Sequence, residues 1–243
     1  MTEAELVTRR RENPIFADAK SAGAVRALVV ASRAQSYAAN DLVLEEGQDA
    51  RHVWLLLEGA VRVYHASESG EEVVIKLFRA PAVFGEAESF AGIPFVENVR
   101  ATEASTALVV PLDTLVSYLE QTPRAAILLL ADVAQRLAIA AYDEKSLAFH
   151  PITMRLANHL LDLSDLAPAG TVPLIRASQE HLATSIGATR RSVAKDIGAW
   201  QDEGILVRET NGYRIVDLPG LRRYADGARL ALTHRVSTRK LFG

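Results

Sequence analysis

Short apolar runs broken by turn residues fill the chain from about Tyr37 to Pro111, and a longer period takes over beyond that point. In the first stretch, "VWLLLEG", "AVRVYHA" and "EEVVIKLF" are β-rich, and Gly47, Gly59, Gly70 and Gly85 stand where the chain should turn. "NVRATEASTALVVP" adds two more strands. Short strands at regular intervals predict a small barrel or sandwich rather than a βαβ sheet. Residues 1–35, by contrast, are polar and read as a helical N-terminal arm.

From Pro111 the apolar positions follow the helical period. "PLDTLVSYLEQT" predicts a short helix. Thr122 then stands as an N-cap, with Pro123 at the first helical position of a segment that nothing breaks until about Phe149. Along it Leu130, Val133, Leu137, Ala140 and Leu147 recur at about 3.5-residue spacing, with Glu144 interrupting. That is a coiled-coil stripe, and it predicts a dimer helix, since so long a helix outruns one small barrel. "PITMRLANHLLDLSDL" follows Pro151 as another helix, then a loop, "APAGTVP".

The stretch "SQEHLATSIGATRRSVAKDIGAWQDEGIL" has a finer pattern. Ser178 should cap a helix from Gln179 to about Ile186, Gly187 should turn the chain, and Thr189 should cap a second helix reaching about Glu203. At 100° per residue, Val193, Ile197 and Trp200 share one face of that second helix, while Arg191 and Lys195 lie almost opposite and Arg190 flanks them. "ILVRETNGYRIV" then reads as a hairpin about Asn211-Gly212. Two capped helices around a glycine, a buried stripe, opposed cations and a hairpin together predict a winged helix-turn-helix that places its second helix in the major groove of double-stranded DNA. The candidate DNA contacts are Ser178, Gln179, Thr189, Arg190, Arg191, Ser192 and Lys195.

Charge supports this division. The 243 residues carry a net charge of −3, but from Thr171 onward there are 12 Lys+Arg against 7 Asp+Glu, and before it 15 against 23. A basic tail on an acidic body suits a polyanion partner for the tail. No uninterrupted apolar run approaches the roughly 18 residues of a membrane span, and the N-terminus has no apolar signal segment; the expectation is a cytoplasmic protein with no membrane partner. Cysteine is absent, which excludes disulfides, thiolate zinc sites and cysteine-held iron–sulfur clusters. No cofactor is expected, although His52, His65 and His150 leave haem open.

Over nearly its whole length the chain resembles the cyclic-AMP receptor protein/fumarate-nitrate regulator (Crp/Fnr) family of bacterial transcription factors. The resemblance rests on the glycine spacing of "EEGQDARHVWLLLEGAVRVYHASESGEE", on "FGE" at Phe84–Glu86, on "VRA" at Val99–Ala101, on "LAFHPITMRLANHLLDL" and on the winged helix. It implies an α+β fold with three parts. Residues 1–121 would form the arm and a cyclic-nucleotide-binding-type β-barrel (jelly roll), 122–150 the dimerisation helix and hinge, and 151–243 the winged helix-turn-helix. It further implies a homodimer on a pseudo-palindromic site, contact with RNA polymerase if the protein activates, and a small-molecule effector.

The effector pocket departs from the family's pattern. In cyclic-AMP members a Gly-Glu pair holds the ribose and an Arg-Ser pair holds the cyclic phosphate. Gly85 and Glu86 match the first pair, but alignment on "VRA" puts Phe95 and Val96 at the second, and counting back from "LAF" puts Ala140 and Ala141 where a Thr-Ser pair meets adenine. Arg100 has the opposite strand parity to position 95 and should point away. An anion buried without a cation is costly, so the expected effector is something other than cyclic AMP, with a cyclic-nucleotide-responsive regulator of atypical pocket as the alternative. The family's guanine-reading arginine is matched by Arg190, whereas Arg191 replaces a common glutamate and Lys195 a common arginine. A cupin-like metal enzyme would need clustered histidines, and no His-x-His pair exists; the chain is read as a regulator, not an enzyme.

Overall fold

The computed structural model describes residues 22–66, 72–164, 167 and 171–229. Most of the expected N-terminal arm lies outside these residues. Its described part is helix α1 (Ala22–Ala31), and strand β1 (Arg33–Tyr37) already begins the sheet. There follow β2 (Leu42–Leu44), β3 (His52–Glu58), β4 (Ala60–Ala66), β5 (Glu72–Arg79), β6 (Ala82–Phe84), α2 (Glu86–Ala91), β7 (Asn98–Ala101) and β8 (Ser105–Pro111). These strands make two antiparallel four-stranded sheets, ordered β1-β8-β3-β6 and β2-β7-β4-β5. This is the barrel that the strand pattern predicts, with the jelly-roll form that the resemblance implies.

The run "VWLLL" is continuously apolar because both of its faces are covered. Trp54 and Leu56 point between the sheets with Tyr37, Val61, Val63, Phe84, Phe95 and Val99. Val53 and Leu55 point the other way, beneath Val25 and Leu28 of α1 and residues of the next two helices, α3 (Leu112–Gln121) and α4 (Pro123–Phe149). A half-buried strand would alternate with polar residues, and a doubly covered one does not.

Helix α4 is 27 residues long, roughly 40 Å at about 1.5 Å per residue. Ala125, Leu129 and Val133 pack on the core of the sheet beside it. Thr122 does not cap α4 with its side chain as expected, since its hydroxyl donates to the Tyr118 carbonyl while its own carbonyl accepts from Ala125 and Ala126. By length and mean hydropathy (1.6 over 18 residues) α4 could also cross a membrane. The uninterrupted apolar run is short because Asp132 and Arg136 break it, but the window around them stays apolar on average. The boundary between the chain's two compact units falls inside this helix, between Ala134 and Gln135.

The second unit continues with α5 (Ile152–Ser164), β9 (Leu174–Ile175), α6 (Gln179–Ser185), α7 (Arg190–Asp202), β10 (Leu206–Glu209), β11 (Gly212–Ile215) and α8 (Leu218–Arg222). Its core joins Leu156 and Leu160 of α5 to Leu182, Val193, Ile197 and Trp200, with Ile175, Tyr213, Ile215 and Leu221 below them. The hairpin closes one residue earlier than its Asn-Gly signal suggested. Glu209 pairs with Gly212, so Thr210 and Asn211 make the turn. Gly212 serves packing instead: a Cβ there would lie 1.9 Å from the Ile175 carbonyl of β9.

Leu55 is fully buried between the first sheet and its helices. Leu55→Ala should therefore destabilise the N-terminal unit by about 2–5 kcal/mol, seen as a lower urea midpoint in that unit's unfolding transition and an unchanged one for the C-terminal unit.

Candidate nucleic-acid interface

Helices α6 and α7 are set by capping and by a single apolar contact zone. The Ser178 hydroxyl accepts from the His181 N–H at 3.1 Å and starts α6. Leu182 and Ala183 are buried, Ile186 closes the helix end, and Gly187 turns the chain at φ +60. Thr189 then starts α7, its hydroxyl accepting from the Ser192 N–H at 3.2 Å and lying 2.9 Å from the Ser192 hydroxyl. Val193 and Ile197 are wholly buried and Trp200 is 1% exposed. Thr153 of α5 donates to Asp196 at 2.9 Å, so α7 is held from two directions.

Arg190, Arg191 and Lys195 are all exposed on the outer surface of this pinned helix. Ser178 and Thr189 are exposed too, while Gln179 and Ser192 are half-buried. A capping hydroxyl that accepts a backbone N–H keeps its own O–H to donate. The first turn of α7 thus gathers two guanidinium groups, hydroxyls and the positive end of the helix dipole, a combination suited to phosphates and guanine edges. Sequence reading passed over Arg208. It lies exposed on β10, donates to the Tyr213 hydroxyl at 3.2 Å and packs over the Tyr213 ring. A cation in a strand flanking the hairpin turn was the available signal.

The aligned effector-pocket residues divide. Gly85 sits in the left-handed region at φ +79 as N-cap of α2, with the Trp54 ring 3.1 Å from where a Cβ would be. Glu86 opens α2 and is 1% exposed. Phe95 is 3% exposed and meets Trp54 edge-on with centroids 5.7 Å apart; Trp54 stacks on Phe84, and Phe84 on Phe78, each at 5.9 Å. Position 95 is therefore part of the inter-sheet core. Val96, however, is 49% exposed and faces solvent. Ala140 and Ala141 are exposed on the part of α4 that belongs to the other compact unit. Arg100 faces away from the sheet interior, donating to the Asn40 carbonyl at 2.8 Å and the Tyr64 hydroxyl at 2.9 Å.

A cavity of about 580 Å³ in the same unit lies elsewhere, lined by residues including Arg51, His52, Ser89, Ile93 and Asp113. Of the histidines considered for haem, His52 and His65 are exposed, and His150 contacts Ser146 at 3.1 Å and Asp226 at 3.6 Å. Among the described residues no three potential ligands converge on a metal-sized site.

On α4, Leu130 and Leu137 are 67% and 69% exposed, Leu147 is exposed, and so are Ala140 and Glu144. Val133 is the exception in the expected stripe. It is half-buried and packs on its own unit's core. The solvent-facing line reads instead Ile127, Leu130, Ala134, Leu137, Ala141, Glu144 and Ala148, an unbroken alternation of three- and four-residue steps.

Comparison with known proteins adds the following. A cyclic nucleotide-binding domain model matches residues 34–122 and a Crp-like helix-turn-helix domain model matches residues 154–224. The chain is 29% identical over 199 residues to the transcriptional regulator SdrP of Thermus thermophilus, covering 79% of this chain and 93% of that protein. It is 25% identical over 179 residues to the global nitrogen regulator of a Nostoc species, covering 71% and 80%. Among solved structures, a CRP/FNR-family transcriptional regulator from Thermus thermophilus superposes with a TM-score of 0.62 at 26% identity, covering 79% of this chain and 97% of that one.

Thr189→Ala should remove the α7 cap and cost about 0.5–2 kcal/mol, measurable as a lower melting temperature of the C-terminal unit, with Thr189→Ser close to wild type.

Proposed function

Because this chain belongs to the Crp/Fnr family of DNA-binding transcription regulators, we propose that it acts as a cytoplasmic homodimer that reads a pseudo-palindromic operator with Arg190 and Arg191 and is anchored beside them by Lys195. The observation that carries this reading is the first turn of α7, where exposed cations stand on a helix whose opposite face is fully buried. A helix held so firmly can present its guanidinium groups at a fixed depth in the major groove.

Each cation has its own task. Arg190 takes the family's guanine-reading place, its fork matching O6 and N7. Arg191 replaces an acceptor by a donor, so it selects against cytosine N4 and meets a guanine or a phosphate. The hydroxyls of Ser178, Thr189 and Ser192, with Gln179, Lys195 and Arg208, hold the flanking phosphates and fix the register.

The exposed line on α4 supplies the dimer contact. Its steps of three and four residues are those of coiled-coil a and d positions, and leucines as exposed as Leu130 and Leu137 are stabilised by covering each other across a two-fold axis. Two winged helices so joined meet half-sites roughly 34 Å apart. The effector is a molecule other than cyclic AMP. Phe95, in the place of the phosphate-binding arginine, is locked among Trp54, Phe84 and Phe78, and an anion placed there would lack a cation. The regions taken to act separately are residues 1–121 as sensor, 122–150 as dimer helix and hinge, and 151–243 as reader.

Selection of bound sites from random duplex DNA should recover two inverted half-sites that differ from the family's usual half-site at the position read by residue 191. Arg190→Ala should lose about 1–3 kcal/mol and relax one base pair, and Arg191→Glu should shift the selected base. Failure to enrich any sequence would overturn the reading. Leu130→Glu/Leu137→Glu should sediment as a monomer and lose operator affinity at least as severely, since each half-site then binds alone.

A further inference from the structure

One buried arginine in the C-terminal unit is paired with two carboxylates. Arg229 is 5% exposed. Its Nε and Nη2 donate to Asp143 of α4 at 2.6 and 3.0 Å, and its Nη1 and Nη2 donate to Asp162 of α5 at 2.8 and 2.7 Å. Burial alone would lower the pKa of the guanidinium, but the hydrogen bonds it donates to the two carboxylates outweigh burial, so the net shift is upward. Nearby His159 has its pKa lowered by burial, against the opposing pull of Asp162.

The two carboxylates belong to different structural parts. Asp162 lies on the first helix of the winged domain, whereas Asp143 lies on the long helix. Beside this pair, the Tyr142 hydroxyl donates to Asp226, whose N–H in turn donates to Asn158 at 3.0 Å. The segment bearing Asp226 and Arg229 is itself rooted in the winged domain. Leu221 is fully buried there, the Tyr224 ring lies 5.4 Å from that of Trp200, and the Tyr224 hydroxyl donates to Glu203 at 2.7 Å. Two adjacent residues of α4 thus grip a strap that runs out from the core around the recognition helix.

We infer that Arg229 is a positioning residue that, through Asp143, clasps the DNA-binding domain to the second half of α4 and so sets how a dimer presents its two recognition helices. The inference rests on the dimeric reading above. Along the chain the domain is joined to α4 only through the short stretch Phe149–Pro151, about which a covalent link alone would permit rotation. Arg155 ties the Leu147 carbonyl to the Gly187 carbonyl at 2.9 and 3.4 Å, but it meets neutral oxygens on exposed surface. A guanidinium shared by two carboxylates fixes distance and plane together. When one domain of a dimer is bound, capture of the second half-site is intramolecular, and its effective concentration depends on how narrowly the second domain is held.

Asp143→Ala isolates this role, because Arg229 keeps Asp162 and the winged domain keeps its own ion pair. The experiment measures affinity of the full chain for a duplex with one half-site, for one with two at the selected spacing, and for duplexes with that spacing altered by one or two base pairs. Asp143→Ala should stay dimeric, keep its single-half-site affinity within about twofold, lose about tenfold of its preference for two half-sites, and tolerate altered spacings. Asp143→Glu should recover most of the preference, and Arg229→Met should behave as Asp143→Ala does. If both Asp143→Ala and Arg229→Met keep the wild-type spacing dependence, or lose single- and double-site affinity equally, the clasp is refuted while the dimer stands. A wild type that binds one half-site as tightly as two overturns the dimer reading and this inference with it.

Discussion

Helix α4 has more apolar surface than its own chain covers, and the other assignments are organised around that surplus. One line of residues, Ala125, Leu129 and Val133, is used to seal the outer face of a sheet. A second line, from Ile127 to Ala148, is left in water. An exposed leucine gains on the order of 1.5–3 kcal/mol when fully buried, so a helix with two such leucines on one line is strongly drawn to a partner of matching shape. A second copy of the same helix provides that shape at no cost in new sequence. The same surplus gives α4 the length and average apolarity of a membrane-crossing helix.

The two ends of α4 then have different physical characters. Its first half is apolar on the side that meets the sheet, so contact there is spread over many weak interactions. Its second half meets the winged domain through charges and hydroxyls, with Asp143, Tyr142 and the Leu147 carbonyl as the points of attachment. Apolar packing tolerates sliding, whereas a bidentate ion pair admits one geometry or none.

The interior of the N-terminal barrel is closed by aromatic packing. Gly85 and Glu86 stand at the start of α2, while Phe95 is part of an aromatic core built on Trp54. Moving Phe95 out of that core would expose large rings and leave a void, so packing holds it there.

Much of this was legible in the chain itself. The order of barrel, long helix and winged helix followed from periodicity, because a period of two or 3.6 residues is imposed by backbone geometry and survives any tertiary context. The caps Ser178 and Thr189, the buried stripe Val193, Ile197 and Trp200, and the outward cations of α7 were likewise visible, since each depends on neighbours within one or two turns. The places where the sequence misled depend on residues distant along the chain. Val133 lies at coiled-coil spacing, yet a sheet beside it covers it. Gly212 looked like a turn residue, but the carbonyl of Ile175 is what requires it. Phe95 could be seen to lack charge, but not to be packed among rings from β3, β5 and β6. The Arg229 clasp spans 86 residues, and no local pattern distinguishes its arginine from any other. Local periodicity thus determined the elements and their faces, and only the tertiary structure decided what covers each face, because burial and pairing are properties of neighbours in space.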